Sequence, residues 1–327
     1  MNLVICEKPS VAMSIAKVIG ATGRQDGYYE GGGYIVSWCV GHLIQMASPS
    51  VYDEKYGKWK LEDLPIIPDK YKYEVVKTTR GQFNTLKKLM NSKDIETVIN
   101  ACDAGREGEL IFRLVYEQSG CKKSIKRLWI SSMEDVAIKE GFKQLKEGKE
   151  YEALYRSALA RSKADWLVGM NMSRLYSLIY NQNYSVGRVQ TPTLFMIVKR
   201  DDEITAFKKE KYYIGELYFT GFTLSTDRID SLEIVEDLVN VVGNKIIVRN
   251  VEKKEKLTKP DLPFDLTTLQ RECNKYFGYS AKQTLDYAQS LYEKKMITYP
   301  RTDSRYLSKD MIINTINNTL IREAPDL

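Results

Sequence analysis

TVINACDAGREGELIFRLV, residues 97–115, decides the fold. Thr97 to Ala101 reads as a short apolar strand, and Leu110, Ile111, Leu114 and Val115 recur at helical spacing, so a strand feeds a helix across the turn CDAGREGE. Another such junction opens the chain. In LVICEKPS, Leu3 to Cys6 is apolar and runs directly into Glu7, Lys8, Pro9 and Ser10, after which Val11, Ile15 and Ile19 mark a helix. Strand-to-helix junctions are where α/β sheets place their chemistry, so these two strands deliver acidic residues to one sheet edge. Glu7, Asp103 and Glu107 offer oxygen ligands that suit a hard divalent cation, Mg²⁺ with several waters retained.

Around these junctions, strands are expected at 2–6, 34–39, 97–101 and 127–130, and helices at 10–20, 81–91, 107–119 and 133–147. Ser132 with Asp135 resembles a capping box with Asp in place of Glu. The implied unit, residues 1–150, is α/β: a mostly parallel sheet with helices on both faces. A helical segment follows over 151–208, where Leu154, Ala158, Leu159, Trp166 and Met170 form an apolar face beside Arg156, Arg161, Lys163 and Arg174. Alone, that pattern is an ordinary amphipathic helix with a solvated basic face. Next comes a small β unit with a linker over 209–260, with strands expected at 211–225 and 245–251 and a charged, proline-containing linker over 251–263. A last helical unit, 261–327, carries Leu269, Cys273, Phe277, Leu285, Ala288 and Leu291.

That last unit ends in MITYPRTDSRYLS, residues 296–308, where Tyr299 stands between a β-branched pair and a proline, with Arg301 two residues on. A tyrosine has a reference pKa of about 10 and is a poor nucleophile unless a cation stabilises the charge that develops on attack, a role Arg301 can fill. The plain alternative is a core tyrosine with a surface arginine. Upstream, SVGRVQ spans Ser185, Val186, Gly187, Arg188, Val189 and Gln190. Gly187 permits close backbone approach, Arg188 suits a phosphate, and Gln190 suits sugar or base. Trp59, Trp166 and Tyr176 are candidate base-stacking residues, each worth about 1–3 kcal/mol where a base is stacked, and each serves equally well as core.

Taken together, EKPS, ACDAGREGELIF, SVGRVQTPTL and MITYPRTDSRYLS resemble the motifs of the type IA DNA topoisomerases, most closely the bacterial topoisomerase III branch. Motif order and spacing match over essentially the whole chain. The resemblance implies a Toprim domain followed by the helical and small β units of a topoisomerase core. It implies Tyr299 as nucleophile of single-stranded DNA cleavage through a 5′-phosphotyrosine, with Lys8 and Arg301 stabilising phosphate charge and Glu7 as general acid or base. Glu7, Asp103 and Glu107 would hold Mg²⁺. Trp59, Arg161, Trp166, Arg174, Ser185 to Gln190 and Arg301 would meet the DNA strand. No ATP is expected, because the bond energy stays in the phosphotyrosine and no G-x-x-x-x-G-K-[ST] loop is present. Two departures stand out. Gly105 replaces the middle carboxylate of the family's D-x-D-x-E pattern, and the segments that complete the family's ring, including a histidine-bearing one, do not follow Tyr299. His42, the only histidine, stands too early to replace it. A fragment, a shortened relative or a chain completed by a partner all accommodate this.

Composition agrees: 49 Lys and Arg against 43 Asp and Glu give a net charge of +6, which favours a polyanionic partner. The five cysteines form no C-x-x-C pair, so neither a zinc ribbon nor a disulfide framework is indicated and a reducing, cytoplasmic setting is expected. No secretory signal and no apolar run of about 20 residues argue against export and against a membrane span. A Toprim primase or nuclease would have no use for the tyrosine segment, and tyrosine recombinases and relaxases use histidine-rich sites. The remaining rival is a module that binds single-stranded DNA without completing strand passage.

Overall fold

The computed structural model describes residues 1–130, 133–242, 247–293, 296–301 and 304–306. In chain order the first elements are β1 (Asn2–Cys6), α1 (Pro9–Ile19), β2 (Gly23–Gln25), β3 (Tyr28–Gly31), β4 (Tyr34–Trp38), β5 (Ile44–Met46), β6 (Tyr73–Val75), α2 (Arg80–Met90), β7 (Thr97–Ala101), α3 (Arg106–Ser119), β8 (Ser124–Arg127), α4 (Asp135–Lys143) and β9 (Lys146–Glu147). The long helix α5 (Glu152–Tyr180) follows. Seven strands form one sheet in the order β2-β3-β4-β1-β7-β8-β9. The β4, β1, β7 and β8 neighbours are parallel, and antiparallel strands extend both edges.

The apolar run at β1 is continuous because both of its faces are buried. Leu3 and Ile5 point to one side, where they join Phe83, Leu86 and Met90 of α2, Phe112 and Val115 of α3, and Tyr155 and Ala158 of α5. Val4 and Cys6 point to the other and meet Val11, Ile15 and Ala16 of α1 and Ile138 of α4. The two-residue period of the strand thus assigns alternate side chains to two separate cores.

Most expected elements stand within a residue of their observed bounds. The strand expected at 127–130 lies earlier, because Asn100 pairs with Arg127 and the ladder runs back to Ser124. The helix expected over 133–147 ends at Lys143, since Lys146 and Glu147 instead pair with β8 as its antiparallel edge. Ser132 lies outside the described residues. Lys245 and Ile246 do too, and residues 247–251 carry no strand.

Compactness groups the chain into residues 1–188 with 262–327, and separately residues 189–261. The second unit holds α6 (Gln190–Thr205), an antiparallel hairpin of β10 (Glu216–Phe219) and β11 (Phe222–Ser225) turning at Gly221, and α7 (Leu232–Val241). The first unit resumes with α8 (Leu266–Phe277) and α9 (Ala281–Glu293). The segment bearing Tyr299 therefore belongs to the same compact unit as the sheet.

Phe112 is fully buried against the sheet and stacks on Tyr116 with ring centroids 6.0 Å apart. Phe112→Ala is expected to destabilise this unit by about 3–5 kcal/mol, read as a lower urea midpoint at unchanged slope.

Candidate active site at the carboxyl edge of the sheet

β1 and β7 lie side by side in register, Cys6 beside Ala101, so Glu7, Lys8 and Asp103 leave the same edge together. Each is fixed by local chemistry. Lys8 is the extended residue before α1, and Pro9 opens that helix where its missing N–H costs nothing. At Gly108 a Cβ would stand 2.2 Å from the Asp103 carbonyl oxygen, so a glycine lets the first turn of α3 close on the Asp103 backbone.

Lys8 Nζ sits 3.4 Å from Asp103 Oδ2 and 3.8 Å from a Glu7 oxygen. It also donates to the Tyr299 hydroxyl at 3.3 Å and lies 4.8 Å from the centre of that ring. Burial draws the Lys8 ammonium down, but Asp103, Tyr299 and Glu7 outweigh it and raise its pKa, so it stays a cation. Burial, then the charge on Asp103, pushes the Glu7 carboxyl up against the pull of Lys8, and Glu107 adds to the push. Tyr299 is half-buried, edge-on to Tyr292 at 5.3 Å, and followed by a buried Pro300.

Beneath the site, Arg127 is 1 % exposed. Its guanidinium donates to the carbonyls of Asn100 (3.1 Å), Cys102 (2.7 Å), Leu128 (2.8 Å) and Asp103 (2.8 Å). Its Nε lies 3.2 Å from Glu109 Oε2, an ion pair in which the N–H is not aimed at the carboxylate. Burial lowers the Arg127 pKa, against Cys102 and Glu109. Glu109 accepts in addition from Asn100 (2.8 Å) and Arg113 (2.9 Å). Sequence reading passed over this arginine, which carries no motif of its own.

Not every expected residue converges here. Glu107 is 56 % exposed and lies 3.5 Å from His42 Nε2, and among the described residues no three His, Cys, Asp or Glu side chains gather into a metal site. The carboxylates at hand are nonetheless hard oxygen donors, and the upward push of Asp103 and Glu107 on Glu7 is a repulsion that a cation would relieve. Arg301 is exposed and makes no hydrogen bond or ion pair among the described residues. Arg305, unremarked in the sequence, ties this segment to the start of α8 by bonding Asp265 at 2.7 Å and also Thr268. That arginine and the Thr268 N–H hold the Asp265 carboxyl well below its usual range.

On α5 a stripe of residues four apart receives the SVGR segment. Ser177 bonds the Tyr184 N–H and carbonyl, Ser173 bonds those of Val186, and the Val186 carbonyl lies 3.2 Å from where a Gly169 Cβ would be. Asp165 then takes Arg188 through both carboxylate oxygens, at 3.0 and 3.1 Å. Ser185 and Arg188 are exposed, with Val186 and Gly187 partly so, while Val189 and Gln190 begin the second unit. Arg161 is half-buried with no ion pair or hydrogen bond among the described residues. Two of the residues expected to meet DNA have partners within the protein. Arg174 is buried, donates to the Tyr56 carbonyl at 2.9 Å and stacks on Trp59, so its charge serves the protein. Trp166 is engaged by Tyr52 and Tyr71, with centroids 5.9 and 5.8 Å away, in the wall of a cleft of about 390 Å³ beside His42. Trp59 and Tyr176 remain partly exposed, the latter stacked on Tyr180.

A Toprim domain model matches residues 2–133 and a DNA topoisomerase model matches residues 149–326. The chain belongs to the type IA DNA topoisomerases. It is 47% identical over 320 residues to DNA topoisomerase 3 of Bacillus anthracis and 46% identical over 320 residues to that of Bacillus subtilis (strain 168). Each alignment covers 95% of this chain and 44% of the relative, so the chain spans less than half the length of these relatives. Full-length topoisomerase I from Thermotoga maritima is similar in structure, with a TM-score of 0.64 at 26% identity, over 98% of this chain and 52% of that one.

The raised Glu7 pKa carries a sign. Its ionised form is disfavoured in the folded chain, so stability is fully present below the unfolded value of about 4.3 and is lost as pH rises through the folded pKa. Glu7→Gln is expected to raise the melting temperature at pH 8, with the gain disappearing below about pH 4.

Proposed function

We propose that this chain cleaves and rejoins single-stranded DNA through a phosphotyrosine on Tyr299, the chemistry of a type IA topoisomerase. The observation that carries the reading is the 3.3 Å bond from Lys8 Nζ to the Tyr299 hydroxyl, made across 291 positions of sequence. Lys8 is simultaneously a neighbour of Asp103, so the nucleophile and the acidic edge share one cation.

In the forward step the Tyr299 oxygen bonds to phosphorus, its proton leaves to water, and the bond from phosphorus to the 3′ oxygen breaks. Lys8, with Arg301 free to turn inward, stabilises the negative charge that builds on the phosphate. Glu7, whose carboxyl keeps its proton to higher pH than usual, gives that proton to the departing 3′ oxygen and recovers it when the 3′ hydroxyl attacks in return. The strand is regenerated with no net hydrolysis, so no ATP is needed. Mg²⁺, held by Glu7, Asp103 and Glu107 when bound, would neutralise phosphate charge at this edge. The buried cysteines, with no disulfide among the described residues, fit a cytoplasmic setting. Among the described residues no helix is long and apolar enough to cross a membrane. Relaxation or decatenation would add strand passage to this chemistry.

Mixing the protein with end-labelled single-stranded DNA and Mg²⁺, then quenching with detergent, should give a covalent protein–DNA band that Tyr299→Phe lacks. Lys8→Ala should slow adduct formation by about 100- to 1,000-fold. No band from the wild-type chain, with DNA still retained on filters, would leave a binding module instead.

The backbone at Gly105 is extended and a Cβ there meets nothing within 4 Å, so the position accepts a carboxylate. Gly105→Asp is expected to fold with an unchanged melting temperature in chelator and to bind Mn²⁺ more tightly than the wild type, measured by electron paramagnetic resonance.

A further inference from the structure

Trp129 lies two residues beyond the end of β8, on the same edge that presents Glu7, Lys8 and Asp103, and it is 41% exposed. Tyr151 stacks on it, with centroids 4.9 Å apart and planes inclined by 23°. The Arg127 guanidinium is 4.9 Å from the indole centre and 5.9 Å from the tyrosine centre. Arg127 thus sits against both rings, and the indole keeps a large exposed area.

Trp166 packs between two tyrosines, and Trp59 packs with Arg174. Trp129 by contrast connects to the reacting groups through two contacts. Arg127 touches the indole and donates to the Asp103 carbonyl at 2.8 Å, and Asp103 pairs with the lysine that holds Tyr299. A strand whose phosphate reaches Tyr299 must cross this edge, and single-stranded nucleic acid is held by flat aromatic faces as well as by charge.

Resting on the cleavage reading above, we propose that the Trp129–Tyr151 pair is a stacking platform for an unpaired base of the DNA strand bound at Tyr299. Tyr151 holds the indole flat, and Arg127 fixes it relative to Asp103. Stacking on a π-face is tolerant of sequence, so the platform places the strand and does not select a base.

The test is anisotropy of a labelled oligo(dT) with wild-type chain, Trp129→Ala and Trp129→Phe. Trp129→Ala should bind about tenfold more weakly or worse, and Trp129→Phe should retain most of the affinity. The slope of log affinity against log salt should stay unchanged, because no phosphate contact is lost. A 5-iodouracil placed along the strand should crosslink to Trp129 at one position. Equal binding by wild type and Trp129→Ala would overturn the platform while leaving Tyr299 chemistry intact. Equal losses in Ala and Phe variants, with a lowered melting temperature in both, would make Trp129 a packing residue and also overturn it. No DNA binding by the wild type would overturn the cleavage reading itself.

Discussion

Arg127 carries a buried charge to the carboxyl end of β8, and the arrangement around the site depends on how that charge is met. Four main-chain carbonyls and one buried carboxylate surround it. Two of those carbonyls, of Cys102 and Asp103, belong to the turn by which β7 leaves the sheet, and that of Asn100 lies near the end of β7 itself. Removing the guanidinium would take away one of the two arginines that pair with the buried Glu109 and leave these carbonyls without their donor, a loss of the order of 3–5 kcal/mol. The same contacts hold Asp103 where Lys8 can reach it. Stability and placement therefore come from one group.

Much of the sheet was legible beforehand because its strands announce themselves. Leu3 to Cys6 is an unbroken apolar run and Thr97 to Ala101 a largely apolar one, and both prove buried on two faces. The β2–β3 hairpin went unread although Asp26–Gly27 is a strong turn signal, with Gly27 at φ +83°. β8 was displaced because its apolar run, Leu128 to Ile130, lies beyond the paired residues, whereas the paired residues Lys126 and Arg127 look polar.

Legibility of the site followed the same physics. Glu7, Lys8, Asp103 and Tyr299 stand in motifs whose spacing exposes them, and the fold brings Lys8, Asp103 and Tyr299 into contact. The packing of Arg174 and Trp166 was not legible, because a basic or aromatic residue on a helix looks the same in sequence whether it faces solvent or the loop at 49–72 packed across it. Arg127 and Arg305 were invisible for the opposite reason. Their work is done by partners 24 positions away for the Asp103 carbonyl and 40 for Asp265, and no local pattern encodes such a distance.

The Arg188–Asp165 pair has a consequence for ionic strength. An arginine that waits in bulk solvent gathers mobile anions, and its loss of them is part of what drives association with a polyanion. Arg188 instead waits against a carboxylate of its own chain, both of whose oxygens face it. Any phosphate that takes this guanidinium must displace an anion that is tethered and cannot be diluted away. Asp165 then acts as an internal competitor of fixed local concentration, which lowers the charge this segment offers to non-specific polyanions and reserves Arg188 for one that arrives in the right geometry.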